Sequence, residues 1–511
     1  MLSGIFGKRP DHPLADLKSA QALADDLPKN DAHKSLTELG GWIESVADSA
    51  DFRLEHQLAV LGLLDEAARP HARKLAREYF SPQELGKFQE NRLWLALDNY
   101  YRHAARAYLA VFGRYCGGDK GAAAIRAQLP LLAARAVHAM TGQLKFLCAH
   151  YGPVDKTVWS NLAQLYRHAE QQQYLDTPLA LYQGAAGSTT VKREAGRLLG
   201  WYGCGIGTLK PLLVHLTERI VGQYCSAIEI GARQDANSLF VFDLDRPAAP
   251  VQTKAGAAAQ PSMRFVDMAK VQPELASLAK TLEKGFVPDS LNLGGAYDAE
   301  PVREAAQYLL NYLNAPPSRR SARRSIRVGL NVVNGFDGIV ERTDVALNFS
   351  NDLPAYWDVE DISASGFRTI LPAQGADGIR IGSLLGVQPE GVPHWGAAVV
   401  RRLIRDEANR LQAGAEMLSN QVSGVTLSQS GGSGGFEDGQ AALWLHARAG
   451  EPSGEARLLM KAGAFSAHRS LRTRLDGKGY LLIPAMLQEQ GSDYDLASFR
   501  IVEQEAGFGE A

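Results

Sequence analysis

Apolar positions recur at intervals of three and four from about residue 13 to 231, in a background rich in Ala, Leu, Arg, Glu and Gln. That period lines apolar side chains along one face of a helix. Leu93, Trp94, Leu97, Tyr100 and Tyr101, then Ala104, Ala105, Tyr108 and Leu109, carry such a face through several turns. The aromatic stripe of Trp94, Tyr100, Tyr101 and Tyr108 is expected to pack in a core. Breaks are predicted at Pro70, Gly117-Gly118, Gly152-Pro153, 184–187 and 203–207, which divides the region into about eight to ten helices. Trp159, Leu162 and Tyr166 fit the first helix of a tetratricopeptide repeat, but Leu175 stands where a small residue belongs and no second copy follows.

The texture changes after residue 236. Residues 238–244 alternate as a strand does, 247–261 form a Pro/Ala/Gly/Gln loop, and Arg264-Phe265-Val266 reads as a returning strand. Helical spacing resumes over 275–313 with a break at Gly294-Gly295. Asn314-Ala315-Pro316-Pro317 then ends the helix. Beyond residue 325 period two dominates, with candidate strands at 326–333, 357–362, 367–371, 395–404 and 411–417. A glycine-rich loop spans 431–435. Further strands are expected at 441–446, 456–460, 479–484 and 498–502.

The 511 residues allow about three domains at roughly 150 residues each. The formal net charge of −2 gives no global field toward nucleic acid or an anionic membrane, so any anion site must be local. Cys116, Cys148, Cys204 and Cys225 form no C-x-x-C pair, which fits reduced thiols in the cytoplasm. Residues 1–10 lack an apolar core of signal-peptide length. The most apolar stretch, 129–147, is broken by Arg135, His138 and Lys145, so membrane insertion is not expected.

The local charge is the run Ser318-Arg319-Arg320-Ser321-Ala322-Arg323-Arg324-Ser325-Ile326-Arg327. It fits R-x-x-x-R in three registers: Arg319/Arg323, Arg320/Arg324 and Arg323/Arg327. Guanidinium groups fork onto phosphate oxygens and guanine edges and stack on bases. A polar turn follows, Asp361-Ile362-Ser363-Ala364-Ser365-Gly366, with the form D-x-S-x-x-G. Asp361 and Ser363, two apart in a strand, share a face, and Ile362 is expected to point into a core. Such a carboxylate and hydroxyl can hold guanine N–H groups and a phosphate oxygen. Gly366 permits backbone that a Cβ would obstruct.

In this order the two motifs resemble the PilZ family, whose members bind the bacterial second messenger cyclic di-GMP. Trp395-Gly396-Ala397-Ala398-Val399-Val400-Arg401-Arg402 is similar to the family's Val-Val-Arg strand, and residues 411–418 to its closing G-x-E-hydrophobic strand. The resemblance spans roughly 319–425. It implies a six-stranded antiparallel β-barrel with Arg320, Arg324, Asp361, Ser363 and Gly366 as ligand residues. Arg319, Arg323 and Arg327 are possible additions. Arg320 and Arg324 are preferred because Arg319 completes the frequent R-R-x-x-x-R form. Residues 335–354 depart from the family as a longer, polar connection, read as an insertion near the site.

The expected chain is multidomain α + β: a helical module over 1–235, a mixed segment over 236–315, a PilZ-like barrel with its arginine linker over 316–425, and a β-rich extension over 436–511. It is expected to sense cyclic di-GMP and relay it through the helical module to a protein partner. The nucleotide would act by ordering the arginine linker, whose like charges otherwise repel. An adaptor whose barrel has lost its ligand is the alternative; nucleic-acid binding is disfavoured for lack of an interleaved aromatic platform. No enzyme motif stands out. The stretch 203–208 lacks the last glycine of G-x-G-x-x-G, 184–190 lacks the Gly-Lys of a P-loop, and the twelve histidines show no ligand spacing. Cys148 with His150, and Asp243 with Asp245, read as ordinary packing and loop residues. No catalytic residue, cofactor or metal is expected.

Overall fold

A computed structural model describes residues 12–81, 85–184, 187–254, 259–316, 328–343, 353–363, 365–372, 378–429, 439–447 and 454–504, with Ser363 described through its backbone alone. The chain divides into two compact units, Met1–Pro317 and Ser318–Ala511. The architecture is α + β, with helices in the first unit and two closed antiparallel barrels in the second.

In the first unit the described residues form eleven α-helices, from Leu17–Asp26 to Ala299–Asn314. Several starts follow from side-chain caps. Asp16 accepts from the backbone of Ser19, Asp31 from Lys34 and Thr190 from Arg193. Leu129–Ala149 and Pro211–Gln223 carry a proline in the first turn, Pro130 and Pro211, which costs nothing where the amide has no intrahelical partner. Four short strands, β1 (Glu229–Gly231), β2 (Ser238–Asp243), β3 (Val251–Gln252) and β4 (Met263–Asp267), form an antiparallel sheet in the order β1-β4-β2-β3. A single apolar core runs from Leu14 to Tyr312 and takes in both helices and sheet.

One sequence expectation fails here. Pro70 does not end a helix: Leu54–Tyr79 runs through it, held by buried Leu64, Ala68, Ala72 and Leu75 on either side. That burial outweighs the roughly 3 kcal/mol of an interior proline. As Leu175 and the missing second copy indicated, Thr157–Gln171 starts no tetratricopeptide hairpin: the next helix begins only at Val191.

The first barrel comprises β5 (Val328–Asn334), β6 (Ala355–Ser363), β7 (Gly366–Ile370), β8 (Leu384–Pro389), β9 (Gly396–Arg405) and β10 (Leu411–Ser419). The second comprises β11 (Val422–Gln429), β12 (Gln440–Leu445), β13 (Glu455–Lys461), β14 (Leu471–Leu475), β15 (Lys478–Gln490) and β16 (Tyr494–Gln504). Around the ring the first runs β5-β6-β7-β10-β9-β8 and the second β11-β12-β13-β16-β15-β14. Numbered within each barrel, both read 1-2-3-6-5-4, so one topology occurs twice. The second barrel begins at Val422, ahead of the glycine-rich stretch, which connects β11 to β12.

The nine-residue helix Gly335–Thr343 lies in what the sequence presents as a polar insertion. It buries Phe336 and Ile339 against Leu384, Trp395, Ala397 and Val399 of the first barrel and Leu443, Leu459 and Leu496 of the second. The run Gly396–Val400 is therefore buried on both faces, which is why it is apolar throughout instead of alternating.

Candidate ligand site

The D-x-S-x-x-G turn joins β6 to β7. Trp357 and Val359 of β6 fill the barrel interior. Val359 stands opposite Thr369, but Asp361 stands opposite Arg368, so Glu360 is an extra residue and the pair is bulged. The bulge sets Asp361, and not Glu360, opposite Arg368. Arg368 Nε lies 2.9 Å from Asp361 Oδ2 and 3.4 Å from Glu360 Oε2. The Thr369 hydroxyl donates to the Asp358 carbonyl at 2.7 Å, tying the two strands a step earlier.

Ile362 does not fill the core as expected: opposite Phe367 but at the last turn of the strand, it is 37% exposed. Ser363 pairs with Gly366 to close the turn; the hydroxyl expected to meet a ligand lies outside the described atoms. Gly366 stands opposite Glu416 of β10, and a Cβ built on it would lie 2.2 Å from the Ala415 carbonyl oxygen. Met417 donates its amide to the Ser365 carbonyl at 3.0 Å, drawing the turn onto β10. The glycine is thus required by the close approach of β7 and β10, whatever else it does.

Arg319, Arg320, Arg323, Arg324 and Arg327 lie outside the described residues. The point where their segment joins the barrel is described. Val328 opens β5 opposite Val359, two residues before Asp361 on the neighbouring strand. The arginine segment therefore enters the barrel at the end of β6 that carries the turn.

The strands β9 and β10 meet each other. Arg401, in the Val-Val-Arg strand β9, donates from Nε to Glu416 Oε2 of β10 at 2.8 Å. Its terminal amino groups reach Glu489 of the second barrel. Sequence reasoning singled out neither Arg368 nor the Arg401–Glu489 pair. The first depends on a bulge that alternation does not reveal, and the second on a partner 88 residues away.

The helical unit has a cleft of about 830 Å³ lined by Leu17, Leu58, Leu63, His71, Leu131 and Arg135. Arg135 is engaged there: Nε donates to the Leu181 carbonyl at 2.9 Å, another amino group pairs with Glu66, and a third approaches the Tyr108 hydroxyl. Tyr100 and Tyr108 both donate to the buried Asp65 carboxylate, at 2.6 and 2.7 Å. This reads as a structural network. Burial pushes the Cys148 thiol up to about 12, and His150 stacks on Trp94 at 4.0 Å, so they form no nucleophile–base pair. Asp243 pairs with Arg246, and Asp245 with Arg167. No helix among the described residues is long and apolar enough to cross a membrane.

Residues 18–234 match the family model described as the N-terminal domain of the cyclic-di-GMP receptor FimW. The matched segment lies wholly within the helical unit and excludes both barrels. No curated protein and no solved structure matches the chain.

Proposed function

We propose that this protein is a cyclic di-GMP receptor that binds the nucleotide at the β6–β7 end of its first barrel. The barrel is read as a PilZ domain, with Arg320, Arg324, Asp361, Ser363 and Gly366 forming the site and Arg319, Arg323 and Arg327 as possible additions. The observation that carries this reading is the entry of the arginine segment beside the D-x-S-x-x-G turn: Val328 stands opposite Val359. Independent support comes from the opposite end of the chain, where 18–234 resemble a domain of a cyclic-di-GMP receptor. The helical unit would pass the signal to a protein partner, with ligand favouring one of two domain arrangements. We assign the protein to the bacterial cytoplasm, where the nucleotide is made and read.

Calorimetric titration of the full chain with cyclic di-GMP tests the proposal. Saturable binding by wild type, weakened about tenfold to a hundredfold when one arginine is removed, is expected for a lost charge-assisted bond. Equal affinity of wild type and the Arg320→Ala, Arg324→Ala double variant would remove the arginines from the site. No binding by wild type would leave the adaptor reading.

A further inference from the structure

We infer that Arg368 is a ligand-facing residue of this site and that Asp361 is the group that orients it. The inference rests on the receptor reading and changes the roles within it. In the D-x-S-x-x-G motif taken alone, Asp361 offers its carboxylate to the nucleotide. In the folded barrel that carboxylate is already engaged, with Arg368 Nε 2.9 Å from Oδ2. The two side chains are 11% and 41% exposed, so the carboxylate is withdrawn and the guanidinium presented.

The geometry of the arginine supports the same division. Nε is buried and makes no hydrogen bond among the described residues, but lies between the charges of Asp361 and Glu360. Among the described residues no hydrogen bond engages the two terminal amino groups. Four N–H donors in a planar fork are thereby left for an incoming acceptor, and their direction is fixed at Nε. Phosphate oxygens or the O6/N7 edge of guanine suit such a fork. Placement favours it too. Arg368 is two residues beyond Gly366, opposite Asp361, at the end of β6 where the arginine segment enters. The bulge at Glu360 is the device that makes the pairing: in unbroken register Glu360, not Asp361, would stand opposite Arg368.

The test is calorimetric titration of the full chain with cyclic di-GMP at several salt concentrations. Wild type is compared with Arg368→Ala, Arg368→Lys, Asp361→Asn and the Asp361→Asn, Arg368→Ala double variant. Arg368→Ala should weaken binding about tenfold to a hundredfold and make its salt dependence shallower, because one ionic contact with the ligand is gone. Lysine should restore the salt slope but only part of the affinity, since it keeps the charge and loses the fork. Asp361→Asn should weaken binding less, and the double variant should bind no worse than Arg368→Ala, as expected of a residue acting through its neighbour. Thermal unfolding without ligand separates these effects from loss of fold; if the alanine variant does not fold, the lysine variant and the Asp361→Asn variant decide. Wild-type binding with unchanged affinity and salt slope in Arg368→Ala, or additive losses in the double variant, would overturn the inference while leaving the receptor reading intact. Absence of binding by wild type would overturn both.

Discussion

Arg401 of β9 and Glu489 of β15 tie the two barrels together through a fork, Nη1 to Oε1 and Nη2 to Oε2, each at 2.6 Å. The pair is embedded in a short network. Tyr494 donates its hydroxyl to Glu489 Oε1 at 2.7 Å, and Arg401 Nε donates to Glu416. Glu416 stands opposite Gly366, so the strand beside the inter-barrel ion pair, tied to it through Arg401, also supports the candidate ligand turn.

Glu489→Gln should loosen this junction. The side chains of Arg401 and Glu489 are 39% and 26% exposed, between a surface pair and a buried one. A loss of about 1–2 kcal/mol is expected, more than a surface pair contributes and less than an isolated buried charge costs. Hydrogen exchange under rising urea, followed over residues 478–504, measures it. Arg401→Lys should lose nearly as much, because an ammonium cannot engage both carboxylate oxygens in parallel. Unchanged protection in both variants would mean the apolar contacts around Phe336 and Ile339 hold the barrels by themselves.

Gly366→Ala should destabilise the first barrel by about 1–3 kcal/mol or more, the usual range for forcing extra volume into packed structure. The obstacle is the Ala415 carbonyl, 2.2 Å from the new methyl, and backbone cannot rotate away as a side chain can. Gly414→Ala, two residues from Glu416 on β10, is the matched control. Its Cβ would meet only Arg402 Cβ at 3.5 Å, an ordinary contact. Thermal unfolding of the two variants should separate them clearly. If nucleotide affinity falls in Gly366→Ala only in step with stability, the glycine serves the fold and not the ligand.

The strands that alternation announced are those with one face in the barrel and one in solvent, β6 and β10 among them. Those that escaped have a blurred pattern for identifiable reasons. In β14, Leu-Arg-Thr-Arg-Leu, the inward residue is Thr473, whose hydroxyl donates to the Thr426 carbonyl at 2.9 Å, so the sequence looks polar on both faces. In β11 the buried residues Val422, Val425 and Leu427 break phase beside Gly424, which approaches Thr343 of the short helix. That helix buries only Phe336 and Ile339, too few positions to establish a period. Within the candidate site, the motif residues were legible because their chemistry is local. The partner of Asp361 was not, because a one-residue bulge decides which arginine it meets.

Glu218 is expected to be the most sensitive charge in the helical unit. Its side chain is 2% exposed, accepts from Lys145 Nζ at 3.1 Å and pairs with Arg197. Burial alone would push the carboxyl up; the charges of Arg197 and Lys145 overturn that and hold it well below the usual carboxylate range. Glu218→Gln leaves the buried Lys145 without its anion and Arg197 with only the more distant Glu194, at 3.8 Å, and should cost about 3–5 kcal/mol. Glu300→Gln, which breaks the exposed pair with Arg303, should cost no more than about 0.5 kcal/mol. Comparable denaturation midpoints for the two variants would contradict this reading of the core.

His215 makes the helical unit acid-sensitive within a window that can be derived. Its Nε2 donates to the Leu293 carbonyl at 2.9 Å, so the neutral ring carries its proton there. Nδ1 is buried with no hydrogen-bond partner among the described residues, and the ring stacks on Phe80 at 4.4 Å. Burial, then the nearby charge of Lys145, holds the imidazole well below its ordinary value of 6.5; Glu218 opposes the shift and Arg219 adds to it. The Tyr297 ring, 5.9 Å away, adds no charge at these pH values. The folded state thus refuses a proton that the unfolded chain accepts below about 6.5, and stability falls as pH drops through that value. The slope approaches about 1.4 kcal/mol per pH unit once the unfolded imidazole is protonated. His12, His71 and His168 are shifted in the same direction by partial burial and should add smaller contributions. Glu218 acts lower, its stabilisation being lost only as pH falls below about 4.5 toward its depressed folded value. Between pH 7.5 and 5.5 the unfolding temperature of the helical unit should therefore fall in wild type and fall less steeply in His215→Gln, which keeps a donor for Leu293. Parallel pH profiles for the two proteins would show that His215 accepts its proton without unfolding.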